Sequence, residues 1–366
     1  MKILLVQLIG KGGVQVYTSQ LANALSQTNN EVVVLLGQYL INDRYYSKLN
    51  AKIIPVKTYP SYIKMGLKMI NPFTYYNLMK IINRERPDVI HILFEDILLS
   101  TTILFLKNKY PVVFTDHDPS FHEGERFFSK FNHGLAKVIT RKSDAIIVHG
   151  ERMKEILVNA NVPKDNIFCI HHGEYSYYTQ WEKGRIKEEK SVLFFGRVEE
   201  YKGIRYLIEA EPLITARVPK SKIIVAGSGN FEQYKKLIIN IDNFEIHNRF
   251  IPDEEVADLF KRASVVVLPY IDGTQTGVIP IAYSFKRPVV VTDVGSIPEV
   301  VDNGKTGYVV PSKDPVSLAN AIIKILTDDR LRAEMGENAF QKTKNEMSWE
   351  NISKNTIEIY KTVLNK

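Results

Sequence analysis

The sequence predicts an α/β protein of two Rossmann-like, doubly wound parallel-sheet domains, and three observations carry the prediction. Short Val/Ile/Leu runs alternate with longer amphipathic segments from one end of the chain to the other, as parallel strands do when helices cover both faces of their sheet. A glycine-bearing turn follows the first strand of each half, Gly10, Gly12 and Gly13 in one and Gly196 in the other. The alternation pauses once, over Gly173 to Lys190, a polar and aromatic stretch without periodicity. The length of 366 residues suits two cores, because a single core rarely grows beyond about 250–300 residues.

Taken in order, the first strand is Ile3–Leu8, followed by the glycine turn and a helix from Val14 to Leu25. Further strands are expected at 31–36, 51–56, 88–93, 111–116, 144–149 and 166–170, which completes one doubly wound unit. The second unit begins at 191–196 and continues at 222–227, 244–246, 264–269, 288–292 and 307–311. After Pro311 the pattern is helical. The last helix starts at the serine cap Ser348, carries Trp349 and an apolar stripe, and is expected to cross back onto the first domain. The domains are therefore set at 1–172 plus 348–366 and at 191–347, with a linker at 173–190, and the crevice between them is where a ligand is expected. There is no further internal repeat and no low-complexity segment.

Composition excludes several classes. With 45% hydrophobic and 24% charged residues the chain is neither disordered nor fibrous. Its one cysteine, Cys169, forms no internal disulfide, and only eight uncharged residues separate Lys2 from Lys11, too few for a signal peptide. A cytoplasmic location is expected, peripheral on the inner face of the cell membrane. The uncharged run Ile97–Leu106 is half the ~20 residues a spanning helix needs. The net charge of +7 is concentrated in residues 1–175, which hold 21 Lys+Arg against 15 Asp+Glu. There the basic residues are interleaved with large apolar ones, over 61–86 and 126–142, which reads as contact with an anionic membrane surface rather than with nucleic acid. Basic residues on the outer faces of ordinary amphipathic helices give the same pattern.

The turn Gly10-Lys-Gly-Gly lacks the full GxGxxG spacing, and the second strand ends Leu36-Gly37-Gln38 without the acidic residue that holds a nicotinamide cofactor's ribose. This argues against a dehydrogenase. The amides of Gly12 and Gly13 at a helix start suit a phosphate or sugar oxygen, or simply a tight turn. The second half is more specific. Arg197 directly follows a strand and Lys202 directly precedes a helix, so two cations converge, as is useful for holding a pyrophosphate and stabilising it as it leaves, a task that other enzymes give to Mg²⁺.

These segments together resemble a family. GRVEEYKG at 196–203, AGSGN at 226–230, NRFIPDEEVADLF at 248–260, VVVLPY at 265–270 and KRPVVVTDVGSIPEVVDNGKTGYVV at 286–310 are similar, in order and spacing, to the GT4-type retaining glycosyltransferases of GT-B fold. In the first half GKGGVQVYTSQLANAL, PDVIHIL at 87–93, FTDHD at 114–118, KSDAIIVHGERMKEIL at 142–157 and HHG at 171–173 resemble the same family. The resemblance implies that Arg197 and Lys202 bind the diphosphate of a nucleotide-sugar donor, UDP being the commonest carrier. It implies that the backbone at Phe250 and Ile251 meets the base, and that His117 lies beside the transferred sugar. Gly196 and Gly227 belong to the donor-side loops. Asp116 and Asp118 crowd the strand end around His117, and His91 and Glu95, after another strand, are weaker acceptor-side candidates.

One departure stands out. The family usually carries two glutamates eight positions apart, and here those positions are Gly273 and Ile281. Asp272 is the nearest carboxylate, and the loop Thr274-Gln275-Thr276-Gly277-Val278 keeps amides for phosphate and sugar oxygens. The expected activity is metal-independent, cofactor-free transfer of a hexose-type sugar, with retention, to a glycolipid, lipid-linked oligosaccharide or polysaccharide precursor. A nucleotide-sugar 2-epimerase or hydrolase shares the same donor, and a non-catalytic nucleotide-sugar binding protein is the reading that Gly273 and Ile281 suggest.

Overall fold

The structure is a computed structural model that describes residues 1–10, 12–41, 43–46, 49–58, 72–106, 109–120, 127–182, 184 and 188–366. Lys11 of the first glycine turn and residues 61–71 and 126 of the basic segments lie outside the described residues. The rest fold as two compact units, one running from the N-terminus to His171 and including Trp349–Lys366, the other His172–Ser348.

In the first unit β1 (Lys2–Gln7), β2 (Glu31–Gly37), β3 (Lys52–Val56), β4 (Val89–Ile92), β5 (Val112–Thr115), β6 (Ala145–Val148) and β7 (Ile167–Cys169) form one sheet in the order β3-β2-β1-β4-β5-β6-β7. All its pairings are parallel. The second unit repeats the plan with β8 (Ser191–Phe195), β9 (Lys222–Ala226), β10 (Phe244–His247), β11 (Val265–Leu268), β12 (Val289–Thr292) and β13 (Gly307–Val310), in the order β10-β9-β8-β11-β12-β13, again all parallel. Each strand lies within one residue, at either end, of its position in the hydrophobic pattern.

The strands are continuous apolar runs because both faces of each sheet are covered. On one face of the first sheet Leu4, Val6, Ile90, Ile92, Val112 and Phe114 pack under helices α2 (Pro72–Glu85), α3 (Ile97–Leu106) and α4 (Phe127–Lys142). On the other, Ile3, Leu5, Val34 and Val113 meet Tyr17, Leu21 and Leu25 of α1 (Gly13–Ser26) and Ile352, Ile359 and Tyr360 of the C-terminal helix, Trp349–Leu364. Burying each large apolar side chain contributes about 1.5–3 kcal/mol, so the last helix is an integral part of the first core. Among the described residues no helix is long and apolar enough to cross a membrane.

Residues 173–190, read from sequence as a linker, are built into the second unit where they are described. Tyr175 and Tyr178 are buried and stacked at 5.9 Å. Glu188 pairs with Arg287 and Arg332, and Glu189 with Arg262 at 3.0 Å. The aromatic residues that broke the periodicity are the ones that anchor the segment.

The C-terminal helix also makes a polar attachment. His91, fully buried on β4, places Nδ1 2.7 Å from the Tyr360 hydroxyl and Nε2 2.7 Å from the Thr115 hydroxyl. Burial, reinforced by His117, pushes the imidazole down to about 3 and keeps it neutral. Tyr360→Phe leaves a buried ring nitrogen without its partner and should destabilise the first unit by about 1–3 kcal/mol, read as a lower urea midpoint for that unit's transition.

Candidate functional site

In the second sheet β8 and β11 are neighbours, while the chain leaves β8 toward β9 on one side and β11 toward β12 on the other. Loops at the carboxyl ends of two such strands diverge, and open α/β sheets bind ligands at that switch point. Gly196 to Gly203 leave β8 there and lead into helix α5, Ile204–Arg217. The loop is fastened to the one after β11 by its backbone. The Tyr201 carbonyl accepts the Ile271 N–H at 2.8 Å and the Asp272 N–H at 3.3 Å. Gly203, at φ +64°, lies so close that a Cβ there would stand 1.9 Å from the Pro269 carbonyl oxygen.

This junction fixes the backbone that carries the two cations. Arg197 is largely exposed, with Glu199 at 3.7 Å. The Lys202 amine lies 5.3 Å over the ring of Tyr270 and 2.8 Å from where a side chain on Gly196 would begin. Burial pushes the Lys202 ammonium down from the ordinary lysine range, and the Arg197 charge pushes the same way. An anion set against both would reverse each effect, since an opposite charge favours the ionised form. Gly227 serves that loop sterically, because a Cβ there would fall 2.0 Å from the Gly196 carbonyl oxygen.

Around the cations stand the remaining donor-side candidates. Asp272 accepts the Gly273 N–H at 2.7 Å, and Thr276 accepts the Val278 N–H at 3.2 Å. Gln275 and Thr276 are half-buried, and Gly277 opens helix α6, Val278–Ser284, only seven residues long. Ile281 is buried within it. Tyr175, which no pattern in the sequence singles out, packs its phenol against Gly277. Tyr270 was equally illegible as a site residue, because its position in VVVLPY reads as the end of a core strand. After β10, Phe250 is 73% exposed and Ile251 buried, so the Phe250 ring is open to solvent.

In the first unit Gly12 stands at the start of α1 with φ +67°, next to Gly13, and a Cβ on Gly12 would meet nothing within 4 Å. His117, after β5, is buried. Its Nε2 lies 3.1 Å from the Leu93 carbonyl oxygen and its Nδ1 3.0 Å from His149 Nε2, while Tyr17 stands edge-on at 4.9 Å. The expected sugar contact therefore has both ring nitrogens engaged inside its own unit, and His149 is a partner that its strand-end position on β6 concealed. His91 is a correction to the sequence reading: enclosed between Tyr360 and Thr115, it belongs to the core and offers no surface to an acceptor.

Glu95, Asp116 and Asp118 do come together. Asp116 is buried, accepts the Asp118 N–H at 3.2 Å and faces the Thr140 hydroxyl at 3.4 Å. Burial pushes Asp116 up to about 7, and the Asp118 charge adds to this. Burial likewise pushes Glu95 up to about 8, reinforced by Asp116, Asp118 and Asp96. Glu95, and in part Asp116, thus keep a proton near pH 7, where a carboxyl group can donate a hydrogen bond as well as accept one.

Known families match both halves. Residues 11–173 fit the description "Glycosyltransferase Family 4" and residues 189–328 fit "Glycosyl transferases group 1". The chain belongs to the GT4-type, group 1 glycosyltransferases. This glycosyltransferase is 26% identical to an uncharacterised glycosyltransferase of Methanocaldococcus jannaschii, over 96% of this chain and 95% of that protein. It is also 26% identical to a phosphatidyl-myo-inositol mannosyltransferase of Mycolicibacterium smegmatis, over 96% of this chain and 90% of the relative. Anabaena HepE, solved in complex with UDP, matches with a TM-score of 0.76 at 18% identity, covering 99% of this chain and 100% of that one. The paired Rossmann-like sheets are those of the GT-B architecture.

The carboxyl cluster sets a pH dependence. Glu95 rises from 4.5 to about 8 on folding, so between those values the folded state holds a proton that the unfolded chain has lost, and stability falls as pH rises through that window. Glu95→Gln keeps the shape without the charge. Its unfolding temperature should match that of the unaltered protein near pH 4.5 and exceed it at pH 8, as scanning calorimetry at the two pH values would show.

Proposed function

We propose that this glycosyltransferase transfers a hexose-type sugar, with retention of anomeric configuration, from a nucleotide-diphosphate donor to a hydroxyl of a glycolipid, lipid-linked oligosaccharide or polysaccharide precursor. The observation that carries the donor reading is the pair Arg197 and Lys202, held by backbone bonds at the switch point of the second sheet. UDP, the ligand named with HepE, is the first carrier to test. As the anomeric bond breaks through an oxocarbenium-like state, negative charge grows on the leaving diphosphate. Arg197 and Lys202 stabilise it more than they stabilise the intact donor, which is the condition for accelerating the chemical step. The leaving oxygen then takes the proton of the attacking acceptor hydroxyl on the same face of the sugar. The two side chains supply the positive charge that a divalent cation supplies elsewhere, so the activity should persist in EDTA. Asp272, Gln275, Thr276, Gly277 and Val278 are proposed to line the donor loop. The first unit is proposed to serve the acceptor side through Glu95, Asp116 and Asp118, with His117 toward the sugar. Arg197→Ala should lower turnover by about 10²–10³-fold in the presence of EDTA, measured as acceptor-dependent release of nucleoside diphosphate; undiminished turnover would remove Arg197 from the mechanism.

A lipid acceptor is supported by the outer faces of three adjacent helices of the first unit. Helices α2, α3 and α4 cover one face of the sheet and turn Phe73, Tyr76, Leu104 and Phe105 outward, at 50–70% exposure. Lys80, Lys137, Arg141 and Lys142 are exposed on the same helices. Exposed apolar side chains together with lysine and arginine on neighbouring helices suit an anionic bilayer surface, each basic residue contributing about 1 kcal/mol. The protein should sediment with phosphatidylglycerol-containing vesicles in a salt-sensitive way, and Phe105→Asp should weaken that binding several-fold. Absence of sedimentation at any salt concentration would count against a bilayer-seated acceptor.

A further inference from the structure

The carboxylate that the family places at position 273 has a structural reason to be absent here. Gly273 adopts φ +144°, a conformation that side-chain-bearing residues rarely take, and a Cβ added to it would stand 3.4 Å from Cδ2 of Tyr270. The space beside Gly273 is thus already bordered by an aromatic ring. That ring is firmly placed: the Tyr270 carbonyl accepts the Thr292 hydroxyl at 2.5 Å, Tyr201 stands edge-on to it at 6.1 Å, and the Lys202 amine sits over its face.

Tyr270 is 2% exposed, yet its hydroxyl oxygen has no partner at hydrogen-bonding geometry. Buried polar groups nearly always have one, and the exceptions call for a reason such as a ligand. A phenylalanine would fill the same volume without leaving a polar atom unsatisfied. Thr276 stands near the phenol hydroxyl as a hydrogen-bonding neighbour, short of full hydrogen-bond geometry, and the Arg197 charge acts on it as well, so the hydroxyl lies within reach of the groups proposed above to bind donor. Burial keeps it un-ionised, which leaves an O–H able to donate to a phosphate or sugar oxygen.

We propose that the Tyr270 hydroxyl is a donor-site hydrogen-bonding group of this chain, taking an oxygen of the bound nucleotide-diphosphate sugar beside Gly273, where the family's carboxylate is missing. The proposal rests on the donor-site reading given above. It also accounts for a tyrosine at a buried position that asks only for an aromatic ring.

The test is calorimetric titration of the full-length protein and of Tyr270→Phe with UDP, GDP, ADP and dTDP and with their glucose derivatives, in EDTA, together with the melting temperature of each protein without ligand. Tyr270→Phe should bind the preferred ligand about tenfold more weakly, the value of one well-placed hydrogen bond. Its ligand-free melting temperature should be unchanged or higher, because an unsatisfied hydroxyl has been removed. Weakening toward both diphosphate and nucleotide sugar assigns the hydroxyl to a phosphate oxygen, and weakening toward the nucleotide sugar alone assigns it to a sugar hydroxyl; either supports the proposal. Equal affinity of the two proteins overturns it, most clearly if the variant also melts lower, since the hydroxyl would then be structural. If the unaltered protein binds none of these ligands, the donor-site reading falls and this proposal with it.

Discussion

The chemistry available to the second unit depends on one backbone junction. Lysine and arginine side chains are long and costly to immobilise, and two of them near each other repel. Here the loop bearing both is held by the Tyr201 carbonyl, which takes two N–H groups from the segment after β11, and by the contact of Gly203 with the Pro269 carbonyl. Those contacts are made by main-chain atoms whose partners are fixed by the sheet, so the cost of bringing the cations together is met during folding. A preorganised charge is worth more to a transition state than one that must be gathered on demand. Withdrawal of the Lys202 amine from water, and to a lesser extent the Arg197 charge, lowers its proton affinity in the loop so held.

The first unit presents the opposite case. At the carboxyl ends of β4 and β5 it gathers carboxyl groups instead of cations, and burial, reinforced by the neighbouring acidic charges, raises the proton affinity of Glu95 and Asp116. Neutral carboxyls can point one oxygen and one O–H at a polyhydroxylated ligand, a useful surface for an acceptor whose hydroxyls must be recognised without being ionised. The cluster is costly to fold, and the core beneath it is correspondingly well tied. The C-terminal helix adds Trp349, Ile352, Ile359 and Tyr360 to the apolar face and satisfies His91 from the far side. A helix distant in sequence therefore stabilises the sheet that carries the carboxyl groups.

What was legible in the sequence follows from these physics. All thirteen strands were readable because a strand covered on both faces must be apolar throughout, and few other segments are. Arg197 and Lys202 were readable because a strand end and a helix start bracket them. Tyr270 and Tyr175 were not: Tyr270 ends an apolar run and reads as a core aromatic although its hydroxyl is left unsatisfied, and Tyr175 lies in an aperiodic stretch whose packing no pattern marks. His91 and His117 show the converse difficulty. Both were read as strand-end residues, but His91 lies within β4 with its side chain between the sheet and the C-terminal helix, while His117 follows β5 and turns toward His149. A period of two decides which face a residue takes, not what awaits it there. The stretch 173–190 was misread for a related reason: its aromatic residues have no periodicity because they pack along an irregular path.

The missing glutamates bear on what kind of enzyme this can be. A carboxylate that holds a sugar or ribose hydroxyl contributes chiefly to binding that is similar in the ground and transition states, and so to affinity and selectivity. The cations, in the role proposed above, act chiefly on charge that grows as the bond breaks. A chain that gives up the first kind of contact while retaining the second has changed what it selects more than what it catalyses. Two features fit that reading. Position 273 has a backbone conformation that side-chain-bearing residues rarely adopt, and the loop it belongs to packs against Tyr201, Tyr270 and Tyr175. A decaying site would be expected to lose the half-buried Lys202 early, since an ammonium that serves nothing is expensive to withdraw from water.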